Sequence, residues 1–184
     1  AGSLLSPASE GQLRAMGAAW EMAGWTPGDV DLVECHGTGT ARGDAVEIAT
    51  LRQMFGEAAP ALGSVKANVG HTLTAAGSAA LIKVLGALEA GQLPPATHVD
   101  EPIDVGPLRL LGEATPWERE GPRRAAVSAF GFGGIDAHLL VEEYVPARAG
   151  RAAAASQQAT SIRPGGEVAH QPQAGRSHEA GSTR

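Results

Sequence analysis

The stretch 63–77, GSVKANVGHTLTAAG, delivers a lysine and a histidine, Lys66 and His71, on either side of a tight turn. Ala61, Leu62 and Val65 suit a short buried strand, while Thr74 to Leu88 is rich in Ala, Leu, Ile and Val at helical spacing. Asn68-Val69-Gly70 then reads as the strand-to-helix turn, with His71 at a helix N-terminus. We take this turn as the candidate active-site loop. Alone, such a loop is better read as a solvated lysine beside a capping histidine. The rest of the chain changes that balance.

From the N-terminus, Leu13, Met16, Trp20 and Ala23 recur at three- and four-residue steps, which predicts an amphipathic helix over Ser6 to Ala23 with Ser6 as N-cap and Pro7 as first helical residue. Gly24 to Gly28 ends it. Val30, Leu32 and Val33 give a short strand running into Glu34-Cys35-His36, and after Gly37-Thr38-Gly39-Thr40 a helical face returns with Val46, Ile48, Ala49, Leu51 and Phe55. Two successive strand-turn-helix units, each with a histidine in its turn, are what an α/β site at strand ends requires. Pro94, Pro95, Pro102 and Pro107 mark a surface connection. Leu108–Leu111 is a short strand, and Arg124–Phe130 and His138–Tyr144 form a hairpin-like pair around Gly131-Phe132-Gly133-Gly134.

At 184 residues and 43% hydrophobic composition the chain can bury a real core. Residues 1–150 carry a formal charge of −8 and 151–184 a charge of +2, so the acidic body does not suit polyanion binding. Aromatics at 4% offer no stacking surface for nucleic acid, and no apolar run suggests a membrane span. One cysteine, Cys35, excludes an internal disulfide; with no signal peptide at the start, a cytoplasmic protein is expected. From Ala147 the composition turns to Ala, Gly, Gln, Ser and Arg, so 147–184 is expected to be a disordered tail or linker, with His170 and His178 solvated rather than metal-binding. No metal site is expected elsewhere. Ala1 in place of Met suggests a piece of a longer or processed protein.

Glycines around His36 permit close backbone approach, and Thr38 and Thr40 offer hydroxyls beside its ring. The glycine run after Phe130 exposes backbone N–H groups that could line an oxyanion site, although a tight hairpin loop explains it equally well.

Three motifs together, HGTGT followed by Gly43, Asp44 and Glu47, then Ser64-Val65-Lys66-Ala67-Asn68-Val69-Gly70-His71 with Ala75-Ala76-Gly77, then Val127-Ser128-Ala129-Phe130-Gly131-Phe132-Gly133-Gly134 before His138, resemble the β-ketoacyl synthases. The likeness is greatest to ketosynthase domains of polyketide synthases. It covers about residues 1–145 as the C-terminal half of such a domain and implies a thiolase-like α/β fold, a mixed sheet with covering helices. It implies acyl transfer with decarboxylative condensation of malonyl-carrier protein, as in polyketide or fatty acid synthesis. By resemblance His36 and His71 are the decarboxylation histidines and Lys66 supports them. The Phe132 backbone N–H shares an oxyanion hole while its ring gates the acyl pocket, flanked by Gly131 and Gly133. Thr38 and Thr40 hydrogen-bond a phosphopantetheine arm, and Asp44 and Glu47 give structural support. No bound cofactor is implied, since substrates ride on the phosphopantetheine of an acyl carrier protein. The other partners are the missing N-terminal half or a further ketosynthase subunit, with a dimer when complete.

The chain also departs from the family's pattern. The nucleophilic cysteine belongs to the absent half, and Cys35 is a small strand-end residue that does not replace it. Ile135-Asp136 stands where Thr-Asn is usual, and Ala41 where proline is usual. The chain alone is therefore not expected to condense anything, and a half-fold should expose an apolar surface. A non-catalytic, chain-length-factor type of partner and a gene remnant are the alternatives; both histidines count against the first.

Overall fold

A computed structural model describes residues 7–146. The expected cap at Ser6 and the expected tail at 147–184 lie outside these residues.

Helix α1 (Ser9–Ala23) buries Gln12, Met16 and Trp20, a stripe at four-residue spacing along one face. It begins after Ala8, which supplies no side-chain cap. Strand β1 (Leu32–Glu34) follows a single 3₁₀ turn, Pro27–Asp29, that Thr26 and Asp29 close as a capping box. Next come α2 (Ala41–Phe55), β2 (Ala61–Gly63), the one-turn α3 (Lys66–Val69), a 3₁₀ turn Leu73–Ala75 and α4 (Ala76–Ala90). The short strands β3 (Gln92–Leu93), β4 (Arg109–Leu110) and β5 (Thr115–Pro116) precede the long hairpin of β6 (Arg124–Phe130) and β7 (Asp136–Glu142).

The main sheet runs β4-β2-β1-β6-β7; its first four strands are parallel and β7 is antiparallel to β6, while β3 and β5 form a separate antiparallel ladder. Both faces of the central strands β2, β1 and β6 are covered, which explains their runs of consecutive buried residues, whereas the edge strand β4 is partly exposed. Leu32, Ala61, Ala125 and Val127 point to one core, shared with Ala80, Val84 and Leu88 of α4. Their neighbours Val33, Leu62 and Ala126 point to the other, shared with Met16 and Trp20 of α1 and with Leu51 and Phe55 of α2. The period of two thus sorts adjacent residues into two layers. Away from the site, Trp117 Nε1 and Arg119 Nη1 both donate to Asp31 at 3.0 and 2.9 Å, and Arg124 Nη1 donates to Asp29 at 2.7 Å. These contacts bind the segment before β6 to the entry of β1.

Several expectations shift here. Val65 lies beyond β2, in the turn, and Asn68 and Val69 belong to α3. His71 does not start the long helix, because a second turn intervenes before α4 begins at Ala76. The stretch Leu73–Ala90 does have the length and mean hydropathy (1.4) of a membrane span, contrary to the reading of composition. Only one of its faces is buried, against β6, and it carries Lys83, which pairs with a core carboxylate; this is the pattern of a core helix. On its other side Ile82 and Leu85 are 69% and 49% exposed, the apolar surface expected of a half-fold.

Candidate active site

The site gathers at the carboxyl ends of three adjacent parallel strands. His36 follows β1, Ser64 and Lys66 follow β2, and Phe130 ends β6, so side chains far apart in sequence meet where the strands stop.

Glu47, buried in the second turn of α2, accepts the backbone N–H groups of His36 and Gly37 at 2.7 and 2.8 Å. Gly37 is required at that turn: its φ is 38°, and a Cβ there would stand 2.8 Å from Ser64 Cβ. Ser64 Oγ donates to Gly37 O at 3.0 Å, joining the β1 turn to the β2 turn. His36 Nδ1 in turn accepts the N–H of Phe130 at 3.3 Å, which assigns the ring proton to Nε2. His71 is arranged alike, its Nδ1 accepting the N–H of Leu73 at 3.0 Å. The two rings meet edge to face with centroids 5.8 Å apart. Both imidazoles therefore present Nε2–H donors, oriented by backbone amides.

Burial lowers the pKa of His36 to about 4, helped by the nearby Lys66 charge and by His71, so the ring is neutral at pH 7 and acts as a donor. Burial also lowers the pKa of Lys66, against the opposing pull of Glu34 and Glu47. Glu47 is raised to about 7 by burial, with the two amide hydrogen bonds acting the other way. Burial raises the pKa of Asp44, while the backbone amides of Gly39, Thr38 and Thr40 lower it. The Cys35 thiol is buried and pushed well up, with its Sγ 3.8 Å from Val33 O, which suits an inert strand-end residue.

A cleft of about 610 Å³ adjoins these groups, lined by Thr38, Asp44, Glu47, Lys66 and His71 and by the 96–103 segment. His36 is not among its lining residues, but its ring lies beside that of His71, which is. Thr38 is at the wall, whereas Thr40 caps α2 by accepting the N–H of Gly43 at 3.2 Å, and the two hydroxyls lie 3.1 Å apart. Phe132 sits on the β6–β7 loop, 76% exposed and away from the cleft lining. The Gly131 N–H is taken by Ile135 O at 2.9 Å, closing the loop, and Gly133 carries a positive φ of 76° there. It is Phe130 that lies against His36, with centroids 5.8 Å apart. Sequence reasoning missed Phe130, Glu34 and Lys83. For the last two the available signal was a charge in an otherwise apolar strand and another in an apolar helix.

A family model described as the β-ketoacyl synthase C-terminal domain matches residues 1–100. The chain belongs to that family. It is 46% identical over 143 residues to a polyunsaturated fatty acid synthase polypeptide of Thraustochytrium, covering 77% of this chain and 7% of that protein. To erythronolide synthase EryA2 of Saccharopolyspora erythraea it is 47% identical over 151 residues, covering 76% and 4%. Among solved structures, the ketosynthase from module 6 of the bacillaene synthase of Bacillus subtilis superposes with a TM-score of 0.74 at 37% identity, over 79% of this chain and 28% of that one. The fold is thiolase-like, and the chain spans less than a tenth of these long relatives and under a third of a ketosynthase.

Proposed function

We propose that this chain supplies the decarboxylation half of a β-ketoacyl-[acyl-carrier-protein] synthase in polyketide or fatty acid synthesis, working in the cytoplasm. The observation that carries this reading is the pair of Nε2–H donors, each ring held through Nδ1 by a backbone amide. When a malonyl thioester loses its carboxylate as carbon dioxide, the electron pair of the broken bond moves into an enolate whose oxygen becomes negative. Two preset donors at that oxygen stabilise it in the transition state, with the loss of one such donor typically costing about 3 kcal/mol. A neutral His36 donates without the desolvation cost of a buried imidazolium. Lys66 adds positive charge beside the cleft and helps position its partners.

The cleft fits the extended arm of a carrier-bound substrate. Thr38 lies where it can hydrogen-bond the amides of phosphopantetheine, and Thr40 acts by holding Thr38 and the α2 terminus. In this reading Phe132 and its glycines form a loop that packs only when the remaining part of the fold is present. That part also brings the nucleophilic cysteine, whose acyl thioester the enolate carbon attacks to give the β-ketoacyl product. Acyl carrier protein and the N-terminal ketosynthase segment are thus the partners, in a dimer when complete.

The test is carbon dioxide release from malonyl-carrier protein by the chain joined to an N-terminal ketosynthase segment. His36→Ala and His71→Ala should each slow release by roughly 10²- to 10³-fold. Release at the unaltered rate in both variants would overturn the reading.

A further inference from the structure

Glu34 is fully buried at the end of β1, and both of its carboxylate oxygens are engaged. Oε1 accepts the N–H of Val65, the residue that leads into α3. Oε2 accepts Lys83 Nζ from α4 at 2.7 Å. Lys66 and His71 lie on the chain between those two attachments, and His36 lies two residues beyond Glu34. One side chain therefore ties both ends of the segment carrying one imidazole to the strand end carrying the other.

Gly63 makes room for this tie. It pairs with Glu34 across the β1–β2 ladder, and a Cβ on it would lie 2.8 Å from Lys83 Nζ and 3.6 Å from Glu34 Oε2. A buried ion pair contributes little net stability, because desolvation offsets the attraction. Stability alone is a poor reason for its presence two residues from the site.

We propose that the Glu34–Lys83 pair is a positioning device, fixing the separation and angle of His36 and His71 at which both Nε2–H groups meet one enolate oxygen. The proposal rests on the decarboxylation reading above. Neither residue touches substrate; they act through the segment 65–83 and the β1 terminus.

The test uses the complete ketosynthase carrying this chain, with malonyl-carrier protein as substrate. The double variant Glu34→Gln/Lys83→Met removes both charges of the pair and keeps an oxygen for the Val65 N–H; it also takes the Glu34 charge away from Lys66, so Gly63→Ala, which keeps every charge, is its control. Its kcat for carbon dioxide release should fall roughly tenfold to a hundredfold while KM stays within about twofold, because misplaced donors weaken the transition state and not arm binding. Gly63→Ala, which keeps both charges and displaces the lysine tip, should show the same split with a smaller loss. Lys83→Arg, keeping the charge, should retain more of the rate than Lys83→Met. Wild-type kcat in the double variant or in Gly63→Ala, with an unchanged melting temperature, overturns the positioning role, and so does a loss confined to KM. If the unsubstituted enzyme shows no His36-dependent release, the decarboxylation reading itself has failed.

Discussion

His138 is a half-buried histidine outside the proposed catalytic pair. Its ring stacks on Trp20 with centroids 6.4 Å apart, its Nδ1 is 3.2 Å from Ser128 Oγ, and burial lowers its pKa to about 4. The unfolded chain, with an ordinary histidine pKa near 6.5, takes up this proton first as pH falls. Stability should therefore decline from about pH 6.5 to about pH 4, by on the order of 3 kcal/mol from this residue. Glu47 acts in the opposite sense. Its folded-state value of about 7 lies above 4.5, so its contribution is full below 4.5 and is lost as pH rises through 7. Thermal melting across pH 4 to 6.5 separates the two: His138→Gln should reduce the acid-side loss by its own share, leaving that of His36, whose pKa is also lowered to about 4, and an unchanged slope would refute the assignment. His36, His71 and Lys66 stood out as polar side chains in glycine-rich turns between apolar runs, but it was the family resemblance that proposed them as site residues. Phe130 did not stand out, and Glu34 and Lys83 showed only as lone charges in apolar runs, because the pairing of each with a distant residue is encoded by no local pattern.

Among the elements, the turn after β1 is the most constrained. Gly37→Ala would force a Cβ into Ser64 at a positive φ and rotate the amide that Glu47 holds. We expect a loss of about 1–3 kcal/mol of stability. We also expect slower decarboxylation, measured by denaturant melts alongside carbon dioxide release; wild-type values for both would show that the turn tolerates a side chain. The existence of the main strands and helices was readable from periodicity, and β6 falls on Arg124–Phe130 as expected, whereas β7 runs Asp136–Glu142, two residues ahead of the expected His138–Tyr144. The turn after β2 was not, since α3 is a single turn and its boundary is set by the Glu34 contact to Val65. The β3–β5 ladder, of two residues per strand, is too short to leave a pattern.

At the scale of the molecule, α4 is the element whose surroundings are incomplete. Ala80, Val84 and Leu88 are buried on the sheet side while Ile82 and Leu85 face outward, and Leu139 on β7 is exposed as well. Under the proposed function the remaining ketosynthase segment covers this face. Ile82→Glu should leave the sheet-side core intact yet block assembly with that segment, read as loss of co-elution on size-exclusion chromatography; unimpaired assembly would place the interface elsewhere. The layered α/β order was legible from the alternation of strand and helix patterns. That one apolar helix would be half uncovered followed only from the family resemblance, because hydropathy alone cannot tell a two-sided core helix from a membrane span.

The central claim is that backbone amides hold His36 and His71 as paired Nε2–H donors. Long-range ¹H–¹⁵N NMR of the assembled ketosynthase, with histidine labelled in this chain, reports the tautomer of each ring. The account predicts the Nε2–H form for both rings at pH 7, with His36 keeping it down to about pH 4. An Nδ1–H tautomer at either ring, or a charged His36 at neutral pH, would contradict it.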